Sequence, residues 1–324
     1  MKKNILFITL LLATVCSCNK ESVDSPEKAT AASFTALAPD SDTKTSIDGS
    51  LNMTWNVGDI AWVYPVPKTY PTPEDGKTQK AYTSPTYYTF TNQTAGDAAL
   101  FRCEDFTPGS FGVGDPYFVF YGTKPYKFNV FRSSTEVDDT DITQYTITAN
   151  IPSDQVFDPT HPLGISDGTI PMYAVINAGT HEPNAVQFQT QSCILKFVIT
   201  NSSGAAVNIH HITMNSANLK LAGQISHYIT LYPNLDEKLF QGYTGSNGIN
   251  LNCNDYTLAN GATRPFSFVM AALGIESSFQ SFGTLTWTVY SDETTVLFTD
   301  SWTCTTKKAE RAHVYTRSYV IPAV

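Results

Sequence analysis

The residues best suited to chemistry in this sequence are a serine between glycines, four acidic pairs, a histidine pair and six cysteines. Gly164-Ile165-Ser166-Asp167-Gly168 fits G-x-S-x-G, which in α/β-hydrolases exposes a serine nucleophile on a tight strand-to-helix turn. Here Pro162 stands before the motif, TIPMYAVI after it reads as turn and strand, and no run of alternating strands and helices surrounds it. Ser166 is therefore read as a loop residue. The acidic pairs are Glu74-Asp75, Glu104-Asp105, Asp138-Asp139 and Asp236-Glu237. Strand neighbours point to opposite faces, so none of these pairs alone forms the convergent acid and base of a glycosidase. Carboxylates distant in sequence are still free to meet in the fold. The run EVDDTD at 136–141 lacks the ligand spacing and glycine of a calcium loop and reads as a solvated turn. His210 and His211 fall on one predicted strand, where adjacent side chains diverge, which argues against a shared metal. With no C-x-x-C or H-E-x-x-H, the expectation is no active site, no metal and no cofactor.

Cysteine chemistry has a clearer place at the N-terminus. Lys2 and Lys3 precede an apolar run over residues 5–15 that is too short for a permanent bilayer span but suits a secretory signal. Val15-Cys16-Ser17-Cys18 resembles the lipobox of bacterial lipoproteins, with an aliphatic residue three before the cysteine and a small one just before it. Cys16 is disfavoured as acceptor because bulky Val15 precedes it. The expectation is a signal peptide over 1–17, cut before Cys18, with acyl chains on Cys18 anchoring the protein. Each buried methylene contributes about 0.8 kcal/mol, so several chains hold stably. No later segment approaches a membrane span without charges. The remaining Cys103, Cys193, Cys253 and Cys304 allow three disulfide pairings, but Cys193 in QSCILKFVIT reads as a buried small hydrophobe.

The elements around these residues are strands. Seventeen tyrosines and nineteen phenylalanines against five methionines favour strand formation. Removing Lys2 and Lys3 takes the formal charge from −9 to −11, which excludes nucleic acid and bare anionic lipid as partners. Residues 18–31 are small and polar and read as a flexible tether. From Ser33 onward, β-branched and aromatic runs alternate with turn signals such as Ser203-Gly204 and Asn247-Gly248. Helical periodicity is weak, so the expected class is all-β, as two β-sandwich domains over 32–184 and 185–324. The segment YPVPKTYPTPEDGKTQKAYTSPTYYTF at 64–90 breaks this rhythm, its prolines forbidding a central strand. Tyr64, Tyr70 and Tyr82 there are candidate contacts for a partner or glycan, against the alternative of rings packed back on the sandwich.

The stretch KTSIDGSLNMTWNVGDIAWVYP at 44–65 resembles the opening of the fimbrillin-like surface lipoproteins of Bacteroidota, through Lys44, Thr45, Ser46, Trp55, Gly58 and Asp59. TAGDAALF (94–101), GDPYFVFYGTKPY (114–126), IPSDQ (151–155), GTIPMYAVI (168–176), VQFQTQSCILKFVITNSSGAAVNIHHITMNS (186–216) and VYTRSYVI (314–321) extend the resemblance in order. It implies Greek-key, transthyretin-like sandwiches, exported as a lipoprotein for use in a surface fimbrium. In that family, polymerising subunits lose an N-terminal strand to a trypsin-like protease and receive one from a neighbour, which is β-augmentation. Gly58, Asp59 and Trp55 would then be structural. No arginine occurs before Arg102, Lys44 is the one candidate processing site in the turn after SFTAL (33–37), and little chain follows HVYTRSYVI. The expectation is an anchor or accessory subunit in the outer membrane, with fimbrial subunits or host and glycan ligands as partners. A surface glycan-binding lipoprotein, also drawing on Trp62, is the second reading and a hydrolase the third.

Overall fold

A computed structural model describes residues 31–37, 55–65, 87–96, 98–106, 111–113, 116–122, 127–131, 144–165, 169–177, 185–190, 192–230, 244–272, 281–310 and 313–323. Among these residues the chain is built of strands. The first half gives β1 (Ala32–Leu37), β2 (Ile60–Pro65), β3 (Tyr88–Asn92), β4 (Ala98–Cys103), β5 (Pro116–Tyr121), β6 (Lys127–Phe131), β7 (Gln144–Ile151), β8 (Asp154–Val156) and β9 (Met172–Asn177). The second gives β10 (Val186–Gln187), β11 (Gln189–Thr190), β12 (Ser192–Asn201), β13 (Val207–Ser216), β14 (Ala222–Thr230), β15 (Thr244–Ser246), β16 (Gly248–Leu258), β17 (Thr263–Ala271), β18 (Ser281–Tyr290), β19 (Val296–Lys308) and β20 (Val314–Ile321). The class is all-β, as the period-two patterning predicts.

The first sheet runs β10-β1-β4-β3-β2-β5-β9-β11. Its two outermost strands are separated in the chain by Phe188 alone, so the stretch 186–190 pairs with β1 on one side and β9 on the other. That stretch closes the sheet on itself around an aromatic core. β4 shows why the sheet has an inside: Ala99, Phe101 and Cys103 are buried while Ala98, Leu100 and Arg102 face out. Central β5 is buried on both faces from Tyr117 to Tyr121, as a continuous apolar run requires.

The later strands form a second sandwich. The sheet β17-β12-β20 faces the sheet β19-β18-β13-β16-β8. Between them Phe197 stacks on Trp287 at 5.1 Å and Phe298 on Tyr319 at 4.0 Å. Arg317 donates to both carboxylate oxygens of Asp300, at 2.9 and 3.0 Å. A fourth sheet, β15-β14-β7-β6, joins strands from both halves. The β7–β14 and β8–β16 pairings thus run across the expected boundary near residue 184, which itself lies outside the described residues.

Candidate functional site at the first strand

β1 is the element on which the functional readings turn. Its alternation puts Ala32, Phe34 and Ala36 inside and Ser33, Thr35 and Leu37 toward the surface. Phe34 is 1% exposed, stacked on Phe101 at 5.3 Å and tilted against Phe90 at 5.4 Å. Burying one such ring contributes about 1.5–3 kcal/mol. Along one edge, β1 pairs antiparallel with β4 over its whole length, from Ala32↔Cys103 to Leu37↔Ala98. Along the other it pairs parallel with β10 only at Ala36↔Val186 and Leu37↔Gln187. Among the described residues, the first part of that edge meets no strand. Taking β1 away would uncover Phe90 and Phe101 and leave the facing backbone of β4 unpaired, a groove shaped for one extended segment.

The turn that sets β2 beside this core follows from Trp55, Gly58 and Asp59. Trp55 is buried against Phe101, Tyr121 and Phe188 and exchanges backbone bonds with Gly96. Gly58 has φ +92, with open space around the position a Cβ would take, so conformation and not room requires glycine there. The Asp59 carboxylate accepts from the Asn56 backbone at 2.8 Å, and Asn92 ties the turn to β3. All three residues are structural.

Other sequence-predicted site residues fare differently. Cys18, Lys44, Tyr70, Tyr82 and the runs around Asp75, Asp139 and Asp236 lie outside the described residues. Tyr64 is described and needs correction: it is 3% exposed, its ring against Phe120 at 5.5 Å and Tyr87 at 5.7 Å. Burial, with Tyr87 beside it, pushes its phenol above the ordinary range. A ring so enclosed presents no face to a glycan, while Trp62 on the same strand is half-buried. Glu104 and Asp105 are exposed at the end of β4. In the serine motif, Gly164 has φ +75 and sits against the Pro265 carbonyl and the Phe157 ring, a packing role; Ser166 is outside the described residues.

Cys103, Cys193, Cys253 and Cys304 are all buried free thiols. Burial pushes the Cys193 thiol up to about 12, so it is a hydrophobe and not a nucleophile. Among the described residues no three of His, Cys, Asp and Glu gather as a metal site. The expected divergence of His210 and His211 is overturned. Their Nδ1 atoms lie 2.9 Å apart, where the register between β13 and β16 shifts. Strand reasoning missed this contact, and the one sequence sign of it was Asn254-Asp255 interrupting the partner strand.

No family model matches the sequence, and no curated protein matches it. Solved structures do resemble it. A candidate cell adhesion protein from Bacteroides ovatus matches 90% of this chain and 92% of its own, at 11% identity and TM-score 0.45. A candidate cell adhesion protein from Bacteroides uniformis matches 90% of this chain and 93% of its own, at 13% identity and TM-score 0.40. A fimbrial protein from Bacteroides ovatus matches 90% of this chain but 48% of its own, at 10% identity and TM-score 0.32.

Proposed function

We propose that this protein is an exported, lipid-anchored component of the bacterial cell surface, fimbrial or adhesive in role and an anchor or accessory subunit more than a stalk. The carrying observation is that β1 fills its own groove, with Phe34 locked among core aromatics and a full ladder to β4. Cys18 lies upstream of β1 in the chain. Cleavage after Lys44 would remove both at once. A self-completed sheet held by acyl chains is a fixed base to which other subunits add through strand complementation. This reading rests on the strand and the lipobox, not on the likenesses to solved structures.

The test compares the full mature chain with one beginning at Thr45, each mixed with a fluorescent peptide covering residues 28–39. The full chain should stay monomeric and ignore the peptide. The shortened chain should capture it or associate with itself. Ready exchange of the peptide into the full chain would overturn the proposal.

A further inference from the structure

The histidine pair on β13 departs from regular strand geometry. In a regular strand, residues three apart point to opposite faces. Yet Ile209 and Ile212 are both fully buried on the same side, with His210 and His211 between them partly exposed. The pleat therefore loses phase here, and both imidazoles emerge together. The cause lies on β16. Ile209 faces Tyr256 and His211 faces Asn252, so the partner strand carries extra residues opposite His210. Two of these, Asn254 and Asp255, take φ values of 49° and 56°. Asn and Asp adopt this left-handed region at lower cost than other non-glycine residues, and such backbone outliers cluster at functional sites.

The pair is braced on each side. His211 stacks on Tyr290 at 4.1 Å with ring planes 9° apart. Asn208 donates to the Asp255 carboxylate at 3.1 Å and to the Ser291 carbonyl at 2.8 Å, fixing the bulge against the end of β18. The two rings stand at 80° to one another with Nδ1 facing Nδ1. One proton is shared between those nitrogens, since two would repel and none would leave the contact without a donor.

We infer that His210 and His211 chelate a divalent transition metal through their Nδ1 atoms. Imidazole nitrogens about 2.0 Å from an ion and 2.9 Å apart subtend about 90°, the cis angle of tetragonal Cu(II) or Ni(II). A tetrahedral Zn(II) would want them about 3.3 Å apart. On binding, the shared proton passes through solvent to Nε2 of the histidine that held it, so no net proton is released. Both histidines are partly exposed, so water or a ligand from another molecule would fill the remaining coordination positions.

The test titrates the full mature chain with CuCl2 and NiCl2 at pH 7.5, by calorimetry and by electron paramagnetic resonance of the copper form. One site with nitrogen hyperfine coupling from two imidazoles is expected. His210→Asn and His211→Asn should each weaken it at least about tenfold, while His161→Asn and His313→Asn leave it unchanged. Unchanged affinity in the first two variants, or wild-type binding no tighter than that of the double variant, would overturn the inference. Proton resonance of the wild-type chain serves if a variant misfolds. Substoichiometric Cu(II) should broaden the His210 and His211 ring signals first, and prior broadening of any other histidine would contradict the assignment.

Discussion

At the scale of single residues, the strongest constraints come from backbone conformation and not from side-chain chemistry. Gly164 shows this. An added Cβ would meet the Pro265 carbonyl at 2.7 Å and the Phe157 ring at 2.8 Å, at φ +75. Because one obstacle is backbone, Gly164→Ala should cost about 1–3 kcal/mol, read as a lower urea midpoint with unchanged slope. The G-x-S-x-G match was legible in sequence, but the reason for its first glycine was not, since Pro265 and Phe157 approach only in three dimensions. His211 gives a second prediction. Its folded value lies below the ordinary 6.5, so the unfolded chain takes up the proton first as pH falls. Stability contributed by the neutral ring is present above about pH 6.5 and lost below it. His211→Asn should flatten the stability profile between neutral and mildly acid pH, and an identical slope in variant and wild type would count against this cause.

At the scale of elements, strands with one apolar and one polar face were readable from sequence, and β1 falls within a residue of the expected SFTAL at 33–37. β16 is poorly legible as a strand because its outward positions are Asn250, Asn252, Asn254 and Asp255, which depress strand propensity although Ile249, Leu251 and Cys253 line the core. The closing stretch 186–190 reads as one strand, and only its two partners reveal that it joins opposite ends of a sheet. A comparable device is Gln155, 4% exposed, which gives to the Val269 carbonyl at 2.7 Å and accepts from its N–H at 2.9 Å. Its amide acts as a short piece of strand along the edge of β17. Gln155→Leu should strand both backbone groups and cost about 2–4 kcal/mol, with faster amide exchange at Val269 and its neighbours. Unchanged protection there would show that the edge is covered by something else.

At the scale of the whole molecule, the chain is an acidic all-β body, and β1 is the first described element after Cys18, the proposed site of lipid attachment. SFTAL was legible as local sequence, whereas the expected lipobox and tether lie outside the described residues. What sequence could not supply was the depth of β1 in the core, which depends on rings from β3 and β4 closing around Phe34. That depth argues for retention, because release would expose the aromatic groove and break the β4 ladder together. Lys44 is also flanked in sequence by Asp40, Asp42 and Asp48, which oppose recognition of a basic side chain by a trypsin-like protease. The most direct measurement is intact-mass and N-terminal analysis of the protein recovered from cells. The account predicts a blocked N-terminus at acylated Cys18 with residues 32–37 still attached, and release from the membrane fraction when Cys18→Ala is expressed. A lipid-free chain beginning at Thr45 and recovered in long fibres would contradict it.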